Sequence, residues 1–147
     1  MTPATIFSNL SLIVVPMWLL LVFAPNWKYT RLLMNLKLVP MLLAFIYAIF
    51  IVKALWTNGM MDFGNLATVM ELFKDEGNVL AGWIHYLAFD LFLGIWMVEK
   101  NEKLKIHQAL MVPILIATLM FGPIGFLCFM FVKFYRENAH ISSEEIS

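Results

Sequence analysis

Charge is what this sequence has least of: 14% of its 147 residues are Asp, Glu, Lys or Arg, and acids and bases balance at ten each. A soluble domain carries about a quarter of its residues as charge. With no net charge there is no field to gather anionic partners, so nucleic acid is not an expected ligand. A single cysteine, Cys128, excludes an intramolecular disulfide and any paired-thiol metal spacing. It reads as a small apolar residue in a packed setting. There is no Gly-rich phosphate loop and no Ser/His/Asp order. The three histidines, His85, His107 and His140, fall at different depths, so no two can share a haem iron. Neither a metal nor another cofactor is expected. No basic stretch precedes Ile6 and no small-residue cleavage site follows, so the first apolar segment reads as a retained helix. The plain inference is a protein of a bacterial cytoplasmic membrane.

Apolar residues are what the chain has instead. They make up 62% of it, and the mean hydropathy is +0.82. A core of this size cannot hide that much apolar surface, so lipid must cover part of it. Four segments are long enough to cross about 30 Å of hydrocarbon. They run over about 6–24, 38–56, 78–98 and 106–134. Pro25-Asn26 stops the first, Asn78 is the candidate N-cap of the third, and Pro113 and Pro123 lie inside the fourth. Residues 135–147 form a polar tail. The fold class is therefore all-α: one membrane domain over 1–147, a bundle of four transmembrane helices.

Between the second and third segments, Leu66, Val69, Met70 and Phe73 repeat at helical spacing opposite Thr68, Glu71 and Asp75. This predicts a short interfacial helix ended by Gly77. It would serve as a connector, or as a lid over a lateral entrance. Lys28, Arg31 and Lys37 in the first loop and Lys100, Lys103 and Lys105 in the third place those loops inside by the positive-inside rule. Both termini then lie outside. Lys133 and Arg136, at the outer end of the fourth segment, run against that orientation. Lys53, beside Trp56, is expected to snorkel to the interface.

Asp90 is the residue that lipid tolerates least. It sits about twelve residues into the third segment, hence about 18 Å deep. A charged Asp there costs about 2.5–3.5 kcal/mol even on the lenient insertion scale. It must face the bundle interior, be paired, or carry a proton. Tyr86, Trp83 and Gly94 share its face at i−4, i−7 and i+4, an arrangement that suits a flat apolar ligand or ordinary helix packing. His85 lies about 140° around the helix from Asp90, so the two are not stacked neighbours. The midpoint of the second segment falls near Tyr47. Pro123 lacks an N–H and clashes with the carbonyl of Leu119, freeing an acceptor near mid-membrane, and Gly122 and Gly125 permit close approach. Asp90, Tyr47 and the Gly122-Pro123 kink either converge on one site or the kink serves packing alone without a cavity; Pro16 adds an irregularity at a similar level.

Gly82-Trp83-Ile84-His85-Tyr86-Leu87-Ala88-Phe89-Asp90-Leu91-Phe92 resembles the Trp-Ile-His-x-Leu-Ala-x-Asp-Leu-Phe signature of the neoxanthin-synthase (abscisic-acid-deficient-4-like) family. Gly122-Pro123-Ile124-Gly125-Phe126-Leu127-Cys128 resembles the Pro-Ile-Gly-x-Leu-Cys run of that family's last helix. Pro16, Ala24-Pro25 and Pro40 also fit. The resemblance implies a multi-spanning membrane protein of carotenoid metabolism with a carotenoid or other apolar isoprenoid ligand. In plants the family is needed to make neoxanthin from the epoxide violaxanthin. The chain departs from the plant pattern in lacking a plastid transit region, so the substrate does not carry over.

The resulting expectation is a carotenoid (xanthophyll) isomerase working by acid–base chemistry. Asp90 and His85 would act as catalytic acid and base, and Trp83, Tyr86, Tyr47, Gly122 and Pro123 would line the substrate site. Two rivals use the same residues. One is a non-catalytic carotenoid-binding or assembly protein, in which they only lock helices. The other is a small proton-coupled transporter, which implies a homo-oligomer because four helices make a narrow conduit.

Overall fold

A computed structural model describes residues 2–144, and every regular element in that range is helical. In chain order the helices are α1 (Pro3–Phe23), α2 (Lys28–Leu36), α3 (Leu38–Asn58), α4 (Leu66–Leu72), α5 (Glu76–Leu104) and α6 (Gln108–Glu144). Four stretches are long and apolar enough to cross a bilayer: 3–23, 28–57, 76–104 and 108–138. Each expected segment overlaps one of them; 38–56 and 78–98 lie wholly inside, while 6–24 overruns the first by one residue and 106–134 begins two residues before the last.

The central helix is α5, which packs against α1, α3 and α6. Its buried residues include Leu80, Ile84, Leu87, Leu91, Ile95 and Val98, repeating every three or four positions. From α1, Leu10, Val14, Met17, Trp18 and Leu21 form one stripe directed into the same core. The two helices run parallel. Phe7 meets Trp83 and the Trp18 ring fills the space beside Gly94, so the sequence offset is constant over three turns. Tyr47 meets His85, and Lys37 pairs with Glu99, so α3 runs antiparallel to α5. Little of α3 is buried; Met41, Phe45, Ile49, Val52 and Trp56 stand on its outer surface. Such an apolar exterior suits lipid and not water.

Several local expectations shift. The segment before the second span is not a plain loop but holds α2, whose Thr30 and Met34 are buried while Lys28 and Arg31 face outward. The spacing i, i+4 was there to be seen, but one turn of it is a weak signal. At the start of α5 the N-cap is Asp75, whose carboxylate accepts from the Asn78 N–H at 3.0 Å; Asn78 itself lies within the helix. At the other end α5 runs past Val98 to Leu104. The polar residues there are good helix formers, and Glu99 and Glu102 are held by Lys37 and Arg31. Lys105 then turns left-handed (φ 52°), and Asn101 closes the turn, accepting from the Ile106 N–H at 2.7 Å and donating to its carbonyl at 3.1 Å. α4 forms where the periodicity placed it, capped by Asn65, but it stops at Leu72, before Gly77. The tail expected over 135–147 is helical through Glu144.

The largest departure from a straight rod is in α6. Phe121 has non-helical angles (φ −147°, ψ 52°), dividing α6 into two helices. After the break the chain folds back beside itself: Gly125 lies against the backbone of Thr118, seven residues earlier, where a straight helix would hold them about 10 Å apart. Phe126 and Phe129 then reach Trp96, with ring centroids 6.2 and 5.6 Å away.

Candidate functional site

The break in α6 meets α5 at Asp90. This side chain is 8% exposed, and its Oδ2 has no hydrogen-bond partner. Gly122 lies so close that a methyl group there would collide with the carboxyl. Glycine at 122 is therefore what lets the broken backbone reach the acid. Pro123 has the effect expected of it. The carbonyl of Leu119, which has no N–H partner at Pro123, accepts a hydrogen bond from the Tyr86 hydroxyl at 3.0 Å. Tyr86 stands one turn before Asp90 on the same face, with its hydroxyl beside the carboxyl. Asp90, Tyr86, the Leu119 carbonyl and Gly122-Pro123 thus form one polar cluster inside an apolar bundle.

The other expected residues divide into two groups. Trp83 belongs with the cluster: its ring lies 5.4 Å from Tyr86 and 5.5 Å from Phe7, so three aromatic rings line up along one flank. Trp83 and Phe7 are 40% and 45% exposed, which leaves that flank open. His85 and Tyr47 lie elsewhere. Their rings are 5.3 Å apart on the side of α5 facing α3, and Phe89 stacks on His85 at 4.6 Å. Both line a cleft of about 210 Å³, closed by Phe63, Leu72 and Phe73 from the region of α4. The structure therefore brings Asp90 to the kink but does not bring Tyr47 or His85 to Asp90.

Gly94 is not a gap for a ligand, because the Trp18 ring occupies the space. Phe7 and Trp18 escaped notice for the same reason. Their roles follow from the parallel register of α1 on α5, which no local pattern specifies. Lys53 lines a recess of about 770 Å³ with Pro3, Ile6, Asp75 and Asn78, at the end of the bundle that holds α4.

A membrane-type helical bundle with a buried carboxyl at the break of a discontinuous helix is the class that fold and site define. The family described as ABA DEFICIENT 4-like matches residues 5–129, which include both halves of this cluster, and the chain belongs to that family. Membership connects it with abscisic acid and neoxanthin formation. No curated protein and no solved structure matches the chain.

Proposed function

We propose that this protein is a bilayer-embedded isomerase of a carotenoid, with Asp90 as the proton-transferring group. The observation that carries the reading is the Asp90 carboxyl, more than nine-tenths buried, with an unpartnered oxygen at the break in α6. Leaving such an oxygen unsatisfied costs about 1–3 kcal/mol. A site that serves only to lock helices together gains nothing from that cost, whereas an acid awaiting a substrate oxygen requires the free position.

For an epoxide the step balances without a redox partner. Protonated Asp90 gives its proton to the epoxide oxygen, the C–O bond opens, and positive charge develops on the adjoining carbon. The resulting carboxylate takes a proton from the polyene, so one proton is given and one is returned. Tyr86, anchored on the Leu119 carbonyl, flanks the acid one helical turn away. Trp83 and Phe7 offer ring faces to an elongated polyene and to cationic charge on it. His85 and Tyr47, in the second cleft, take a binding role at a distance from the reacting bond. The bundle sits in a membrane with its Lys28–Lys37 and Lys100–Lys105 ends inside and α4 on the opposite interface.

Asp90→Asn tests the chemistry, because it keeps shape and hydrogen bonding while removing the acid. The rate at which substrate carotenoid becomes product in membranes, normalised to folded protein, should fall by about 100-fold or more, the usual contribution of a general acid. Conversion at the wild-type rate would instead support the binding or assembly reading.

A further inference from the structure

The geometry points to a re-entrant helical hairpin: residues 108–136 enter the membrane and leave it on the same side, with the tip at Phe121-Gly122-Pro123 set against Asp90. Three observations carry this. The backbone reverses at Phe121, bringing Gly125 onto Thr118. Thr118 is fully buried there, its hydroxyl donating to the Ile114 carbonyl at 2.8 Å and lying 3.6 Å from Met97 Sδ. Phe129, also fully buried, lies on Trp96 and not near the start of α5, where a straight α6 would have carried it.

Charge gives a separate argument. Lys133 lies four residues beyond Phe129, about 6 Å further along the helix axis towards the level of Lys100. In the hairpin Lys133 and Arg136 therefore emerge beside Lys100, Lys103 and Lys105. Of the ten basic residues, all but Lys53 and Lys74 then gather at one end of the bundle. A straight fourth span would put Lys133 and Arg136 at the opposite end, against the positive-inside rule; the hairpin removes that conflict. The hairpin also explains the open flank. Because α6 turns back at Asp90, it leaves Phe7 and Trp83 uncovered, and the aromatic row runs from the α4 end of the bundle down to the acid. Discontinuous backbone at that depth is tolerated because the bundle receives it.

The inference rests on the membrane assignment but not on the chemistry proposed for Asp90. Labelling needs no carotenoid, so the two can fail separately. In the full-length protein with Cys128→Ser, single cysteines are introduced as Met60→Cys, Lys103→Cys and Glu137→Cys, all at exposed positions. Sealed vesicles are treated with a membrane-impermeant maleimide before and after opening. Glu137→Cys should label from the same side as Lys103→Cys, with Met60→Cys labelling from the other. Labelling of Glu137→Cys together with Met60→Cys would overturn the hairpin in favour of a fourth crossing. A reporter fused after Arg136 reads the same compartment without any cysteine.

Discussion

Two glycines show how one missing methyl group can have different consequences. At Gly94 an added Cβ would lie 2.7 and 2.9 Å from two ring carbons of Trp18, a side chain that can shift as a unit. At Gly125 it would strike the N and Cα of Thr118, which belong to a helix and cannot move alone. Ordinary overpacking costs about 1–3 kcal/mol. Gly94→Ala should fall within that range, while Gly125→Ala should exceed it and loosen the fold-back. Thermal unfolding of both variants in one detergent checks this ordering, and equal losses would show that the Thr118–Gly125 contact is not close. Asp90 belongs to the same scale: its cost to the fold is local, and so is the use proposed for it.

Among the elements, the sharp stop of α5 stands out. Lys105 ends the helix in the left-handed region, where a side chain costs about 1–2 kcal/mol relative to the right-handed form. Glycine carries no such penalty at a helix C-terminus. Lys105→Gly is therefore expected to raise stability by about 1 kcal/mol, read as a higher unfolding temperature in detergent. Lys37 has the same conformation between α2 and α3, but its ammonium also donates to Glu99 and to the Met34 carbonyl. Replacing it with glycine would trade one benefit for another loss. The break in α6 is the opposite kind of feature. Pro123 alone would bend a helix; the fold-back also requires Phe121 to leave the helical region and Gly125 to admit the returning backbone.

The whole molecule is organised around α5, with apolar side chains on its outer surfaces and two charged pairs, Arg31–Glu102 and Lys37–Glu99, joining its C-terminal end to the α2 region. Arg31–Glu102 is about half exposed on both partners, and such pairs contribute about 0–1 kcal/mol. They fix register more than they stabilise. Burial among the helices and contact with lipid must provide the rest, because large apolar residues such as Leu12, Phe23, Phe45, Phe131 and Phe134 remain on the outside. The protein should stay in the membrane pellet through an alkaline carbonate wash and enter solution only with detergent. Release by carbonate would mean that the helices do not sit in the bilayer.

Composition and periodicity by themselves determined the all-helical class, the four long apolar helices, the short helix over residues 66–72 and the prominence of Asp90. These follow from properties local to the chain: hydropathy over some twenty residues, the 3.6-residue repeat, and the cost of a carboxyl among apolar neighbours. The freed carbonyl of Leu119 was legible too, since Pro123 acts on a residue four positions away. Which phenol would take up that carbonyl was not legible. Tyr47 and Tyr86 both lie in the middle of apolar helices, and only the packing of α6 on one side of α5 and α3 on the other selects Tyr86. The same packing separates His85 from Asp90 and places Trp18 beside Gly94. Nor could the sequence tell a bend at Pro123 from a reversal at Phe121. A proline weakens a helix wherever it stands, but the direction in which the freed chain continues is set by the surfaces waiting to receive it, here the backbone at Thr118 and the ring of Trp96.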